Sequence, residues 1–164
     1  VRPTPTAIMD GRTYTSLTVG EQYACAIAST GSSYCWGANG FGQLGDGTTT
    51  VKTSPVPVNT ARVFTKLVAG QLHTCGLEAN GTLSCWGRNA DGRSGDGTTV
   101  AKTVPTPVTG GLLFSAAPRL TAGTTCAKAA TSNVPFCWGG NSGGYLGIGS
   151  ASPGRARYRC RPTG

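Results

Sequence analysis

Charge is scarce in this chain. Of its 164 residues only fourteen are basic and six acidic, and there is a single histidine and a single methionine. With six carboxylates and one imidazole, the acid–base pairs and nucleophile–base arrangements of enzymes have almost no raw material. Histidine-rich metal clusters are short of ligands for the same reason. No apolar run reaches the roughly 18–20 residues that cross a bilayer as a helix. Helix-favouring Leu, Glu and Lys are also few. The chain begins Val1-Arg2-Pro3, without Met or an apolar leader, and reads as a piece cut from something longer. What abounds is turn-former: 26 glycines and 10 prolines, about a fifth of all residues. That composition predicts many short strands joined by tight turns.

The tripeptide Cys-Trp-Gly occurs three times, at Cys35-Trp36-Gly37, Cys85-Trp86-Gly87 and Cys137-Trp138-Gly139. Its first two copies are 50 residues apart and the third follows after 52. Gly20 maps onto Gly70, Cys25 onto Cys75, Gly45-Asp46-Gly47 onto Gly95-Asp96-Gly97, and Pro55-x-Pro57 onto Pro105-x-Pro107. In the third copy Gly123 and Gly147 are placed opposite Gly20 and Gly45. A period of this size marks a propeller or an array, in which each unit buries its apolar face against its neighbours. Function then resides in a repeated surface rather than in one catalytic pocket.

Within the second copy, Leu67-Val68-Ala69-Gly70 reads as a strand, His73–Leu77 as a second, and Thr82–Trp86 as a third after the Asn80-Gly81 turn. Strands are expected near 16–19, 23–28 and 33–37, and again near 66–69, 73–78 and 82–87. Pairing residues whose numbers sum to 160 sets Leu77 opposite Leu83 and Cys75 opposite Cys85, on one face. A sum of 60 does the same for Cys25 and Cys35. Disulfides Cys25–Cys35, Cys75–Cys85 and Cys126–Cys137 are therefore expected, at non-hydrogen-bonded sites, against the alternative of buried free thiols. The third loop is one residue longer, so a bulge is expected there. Cys160 is left over. Such pairing implies an oxidising compartment, and gaps of ten and eleven residues do not suit zinc. The Pro-x-Pro segment Pro55–Val58 is expected on a sheet edge, because proline donates nothing to a ladder. Each copy thus holds about four strands, the content of one propeller blade.

The expected organisation is residues 1–15 as the end of a preceding blade plus a connection, 16–58 as repeat one, 59–108 as repeat two, 109–149 as a degenerate repeat three, and 150–164 as a basic tail outside the repeat. Arg155, Arg157, Arg159 and Arg161 supply four of the net +8 charges. They read as a solvated tail rather than a nucleic-acid face.

The stretch Gly20…Cys25-Ala26-Ile27…Tyr34-Cys35-Trp36-Gly37-x-Asn39-x-x-Gly42-Gln43-Leu44-Gly45-x-Gly47…Pro55-Val56-Pro57-Val58 closely resembles the regulator of chromosome condensation repeat, in its bacterial, cysteine-paired form. The resemblance runs from residue 2 to 149. Arg93-Ser94 stand where Gln-Leu is expected, and Tyr145 stands at the Gln position. It implies an all-β fold of four-stranded antiparallel blades, here about three, as an arc of a seven-bladed ring. The founding member is an exchange factor for a small GTPase, and no residue here maps onto its exchange site.

Individual residues favour structural roles. His73 lacks a nucleophile partner, Asp46 and Asp96 sit in Gly-Asp-Gly-Thr turns too sparse in oxygens for calcium, and Trp36, Trp86 and Trp138 are placed to pack between blades. No catalytic, cofactor or metal residues are assigned. The expected function is a non-enzymatic module for protein interaction or adhesion in a secreted or surface protein, extracellular or in the cell envelope. The partner is a protein, and neither a membrane span nor nucleic acid is called for. Specificity is expected in Asn59–Lys66, Gly110–Leu120, Ala28–Ser33 and Ala129–Pro135. The alternatives are a GTPase exchange regulator and a secreted enzyme inhibitor. Open blade edges are expected to promote self-association.

Overall fold

The structure, a computed structural model, describes residues 4–149 and the backbone of residues 154–159. Among these residues there is no helix. Strands β1 (Tyr14–Val19), β2 (Tyr23–Ala28), β3 (Ser33–Gly37) and β4 (Lys52–Pro57) form one antiparallel sheet in that order. A second sheet repeats the arrangement with β5 (Phe64–Ala69), β6 (His73–Glu78), β7 (Leu83–Gly87) and β8 (Lys102–Pro107). The third comprises β9 (Arg119–Leu120), β10 (Thr124–Lys128), β11 (Pro135–Gly139) and β12 (Gly154–Arg159). These are three blades of a propeller, each built from neighbouring chain by hairpin connections.

The register follows from sequence. Cys25 faces Cys35, Cys75 faces Cys85, and Leu77 faces Leu83. All three cysteine pairs lie at a Cα–Cα distance of 4.1 Å and are disulfides. That spacing belongs to the non-hydrogen-bonded sites of an antiparallel ladder. In the third hairpin the extra residue does not bulge a strand. The pairing runs unbroken from Thr124↔Gly139 to Lys128↔Pro135, and the turn absorbs the insertion through Asn133, whose φ is +55°. Asn tolerates that left-handed conformation better than most residues.

The ends of the chain differ from expectation. Residues 4–13 form no strand, so the described part of the first Pro-x-Pro segment lies outside any sheet. Residues 154–159, expected in a tail outside the repeat, pair with β11 in the place that β4 and β8 hold in their blades. An edge strand accepts a charged sequence readily, because one side of it faces solvent. Cys160 lies outside the described residues.

The repeat position given to Gly123 also needs correction. Gly20 N donates to Tyr23 O and Gly70 N to His73 O, and the third copy of this turn is Thr121 N to Thr124 O. Thr121, not Gly123, is the counterpart of Gly20 and Gly70. A Cβ on Gly20 would fall 2.1 Å from the Tyr23 ring, and one on Gly70 would fall 2.9 Å from the His73 ring. Where the ring is replaced by Thr124, the glycine is no longer required.

Two apolar clusters hold the blades together. Tyr23, Leu44 and Val58 of the first blade pack with Phe64, Leu67 and Trp86 of the second. Leu77 and Leu83 of the second pack with Phe114, Ala127 and Trp138 of the third. Phe64 stacks on Trp86 with ring centroids 5.6 Å apart, and Phe114 packs against Trp138 at 5.9 Å with the rings tilted. Gly45 and Gly95 combine φ values of +71° and +68° with an approach so close that a Cβ would lie 2.6 Å from the Trp86 or Trp138 Nε1. Only glycine satisfies both demands.

Candidate interaction surfaces

The strand directions sort the connections to two ends of the arc. One end carries the β2–β3, β6–β7 and β10–β11 hairpin tips with the links between blades. The other carries the tight turns after β1, β5 and β9 with the long glycine-rich loops after β3, β7 and β11.

At the hairpin end, two of the four variable stretches, Ala28–Ser33 and Asn59–Lys66, meet around a shared cleft. A cleft of about 270 Å³ lies between Thr30–Tyr34 and Pro57–Val63, and one of about 600 Å³ lies between Thr60–Val63 and Glu78–Asn80. Backbone bonds fasten tip to link: Phe114 N donates to Gly81 O at 2.8 Å, and Ala130 N to Leu113 O at 2.8 Å. Arg62 pairs with Glu78 at 2.5 Å, and Arg12 lies 4.4 Å over the Tyr34 ring. Val63 and Leu113, one in each link, are 64% and 47% exposed. They are apolar residues presented at the same place in successive repeats.

At the loop end, each long loop is knotted around one buried asparagine. Asn39 donates to Asp46 Oδ1 and Thr48 O, and its Oδ1 accepts from Leu44 N. Asn89 repeats this with Asp96, Thr98 and Ser94, and Asn141 accepts from Leu146 N. These asparagines were legible only as a repeated letter in Gly-x-Asn-x-x-Gly. Asp46 and Asp96 are consumed by the same knots, with Lys52 at 3.4 Å and Lys102 at 2.9 Å. Burial alone would raise their carboxyls, but bonds from Thr48, Asn39 and Lys52, and from Lys102, Thr98 and Asn89, hold both below the usual value.

His73 is fully buried between the second and third blades. Its Nε2 lies 3.0 Å from Thr125 Oγ1, which itself donates to Arg93 O at 2.9 Å. Thr125 therefore accepts, and Nε2 carries the imidazole hydrogen. His73 Nδ1 has no partner among the described residues. Burial, assisted by the charge of Arg93, lowers the pKa to about 3. The ring is a neutral wedge at physiological pH, not a proton carrier. The tryptophans form no exposed ladder. Trp86 and Trp138 are buried and donate to Gln43 O and Arg93 O across the blade boundaries, at 3.0 and 2.9 Å. Trp36 is half-buried against Tyr14, with ring centroids 6.3 Å apart. No group of three or more His, Cys, Asp or Glu side chains is placed to hold a metal ion among the described residues.

The repeat pattern described as "Regulator of chromosome condensation (RCC1) repeat" matches residues 30–77, and a second pattern of the same description matches 14–43 and 64–93. No curated protein matches the chain. Among solved structures, yeast RCC1 (Prp20) bound to Kap60 superposes with a TM-score of 0.80 at 21% identity, over 93% of this chain and 38% of its own. Human WBSCR16 gives 0.77 at 18% identity, over 92% and 40%. The ectodomain of the Physcomitrella patens receptor kinase CR4 gives 0.53 at 24%, over 77% and 29%. The chain thus spans about two fifths of the length of the first two. At these identities the likeness shows a shared fold.

Proposed function

The chain is built of regulator of chromosome condensation repeats, and on that premise we propose that it is a non-enzymatic protein-interaction or adhesion module of a secreted or surface-exposed protein. The reading is carried by the hairpin end. There two of the least repetitive stretches, Ala28–Ser33 and Asn59–Lys66, line a common cleft, and Val63 and Leu113 are held out to solvent. A contiguous exposed apolar patch rimmed by polar residues marks a protein contact, and Val63 and Leu113 would form part of one. The titratable groups that looked chemical in sequence, His73, Asp46 and Asp96, are locked into structural bonds. Three disulfides support the oxidising, extracellular or envelope setting, and no helix is long and apolar enough to cross a membrane among the described residues.

The yeast relative is described as bound to Kap60 and by its binding properties to Gsp1p and histones. That likeness supports partner binding in general. Exchange activity on a GTPase has only the shared fold behind it. The test compares the oxidised chain with a Val63→Asp/Leu113→Asp variant in cross-linking against surface and culture-fluid proteins. Partners lost by the variant, with its fold intact by circular dichroism, support the assignment. Equal capture by both removes it. Acceleration of nucleotide release from a small GTPase would replace it with the exchange reading.

A further inference from the structure

The loops Gly37–Gly47 and Gly87–Gly97 share every residue that shapes their backbone, Gly37/87, Asn39/89, Gly42/92, Gly45/95, Asp46/96 and Gly47/97. They differ mainly at Ala38/Arg88, Phe41/Asp91, Gln43/Arg93 and Leu44/Ser94. The fold is thus constant while three charges are added at one spot. In the first blade Gln43 closes on its own loop, its Oε1 accepting from Phe41 N at 3.0 Å. In the second blade Arg93 instead runs between blades, its side chain 4% exposed. Its Nη1 donates to Ala122 O and its Nη2 to Asp91 Oδ2. Its Nε has no partner among the described residues. The Arg93 carbonyl is pinned by both Trp138 and Thr125, so the guanidinium stands on a rigid base.

A cavity of about 470 Å³ opens at this spot, on the end opposite the hairpin tips, lined in part by Arg88, Asp91, Arg93, Ser142 and Tyr145. Gly123 and Gly140 lie along it without side chains. Arg88 and Arg93 against Asp91 leave it one net positive charge.

We propose that this cavity is a binding site for a carboxylate, that of an Asp or Glu side chain on a partner protein. The planar guanidinium fork of Arg93 is the anchor, and Arg88 at the rim is the second cation. A buried arginine with a spare donor suits a planar monoanion. Asp91 disfavours a dianion such as phosphate, because it stands beside the same fork. The site is independent of the hairpin end, so either assignment can fail alone.

The probe is a capped tri-glutamate peptide, titrated into the whole oxidised chain and followed through its indole N–H signals. Trp138 Nε1 bonds to the Arg93 carbonyl, whereas Trp86 Nε1 bonds to that of Gln43. Saturable movement of the Trp138 signal with little change at Trp86 is expected. Arg93→Gln, which installs the residue the first blade already tolerates at this position, should weaken binding by about tenfold or more, the scale of a lost charge-assisted contact. Arg88→Ala should weaken it by a few-fold, and Asp91→Asn should strengthen it, a direction that a purely structural ion pair would not produce. No saturable shift, a shift unchanged in Arg93→Gln, or equal binding of a capped tri-glutamine peptide would overturn the proposal. Tighter binding of inorganic phosphate than of the peptide would overturn it as well.

Discussion

Trp86 reaches from the second blade into the first and donates its indole hydrogen to the carbonyl oxygen of Gln43 at 3.0 Å. The same oxygen accepts from Thr74 Oγ1 at 2.8 Å. One main-chain carbonyl thereby fastens a loop of one repeat to two strands of the next. Trp138 and Thr125 do the same to the carbonyl of Arg93. In its second and third copies the Cys-Trp-Gly repeat is thus a device for joining blades.

Replacing Trp86 by Phe keeps much of the packing and removes this bond. A loss of about 1–2 kcal/mol is expected in chemical denaturation, the worth of a buried hydrogen bond plus some contact area. Trp138→Phe should match it. Trp36→Phe should cost less, since Trp36 is only half-buried. Equal losses at all three positions would contradict the blade-joining role.

Each disulfide joins a cross-strand pair, buried in the first two blades and half-buried at Cys126 in the third, and closes a loop of ten or eleven residues. Removing Cys75 and Cys85 together, as a double alanine variant, should cost about 2–4 kcal/mol. Reductant should lower the melting temperature of the parent but not that of a chain lacking all three pairs. Thermal scans with and without reductant decide this.

His73 makes stability depend on pH. Folded, its pKa is about 3; unfolded, it titrates near 6.5. The unfolded chain therefore takes up the proton first. The contribution is full above 6.5 and is lost as pH falls from 6.5 toward 3, at about 1.4 kcal/mol per unit. His73→Tyr, which installs the residue that the first blade carries at Tyr23, should flatten the slope between pH 6.5 and 4.5. Denaturation across that window in both proteins is the measurement, and parallel slopes would refute the assignment.

Gly70 and His73 should be coupled. A Cβ on Gly70 meets the His73 ring at 2.9 Å, so Gly70→Thr should destabilise by about 1–3 kcal/mol through overpacking. Gly70→Thr with His73→Thr reproduces the Thr121/Thr124 pair of the third blade. In a double-mutant cycle the coupling should exceed about 0.5 kcal/mol in the favourable direction. Simple additivity would show that the ring is not what demands glycine.

Leu17 is 62% exposed, while Leu67, its counterpart one repeat later, is 9% exposed against the preceding blade. The first blade thus exposes the apolar face that the second blade buries against its neighbour. Concentration-dependent association in sedimentation is expected, and Leu17→Lys should reduce it. A parent chain that stays monomeric at all concentrations would count against this.

What the sequence determined by itself is local. The 50-residue period, the glycine-marked hairpin tips, the hairpin strands of the first two blades and the Cys25–Cys35 and Cys75–Cys85 registers were all legible. Apart from the period itself, each depends on residues within about a dozen positions, where turn chemistry and side-chain alternation suffice. The pairing of glycines by spacing failed at Gly123, because what demands glycine is a ring three residues on, and the third repeat has Thr124 there. The strand formed by residues 154–159 was equally hidden, since an edge strand needs only a neighbour with open hydrogen bonds and bears no repeat signature. Only the tertiary structure decided the joints. Tyr23 donates to His73 O, 50 residues away, Trp86 to Gln43, and Arg93 to Ala122. These bonds depend on how one sheet lies over the next, and that placement turns two departures from the repeat into a wedge at His73 and a charged cavity at Arg93.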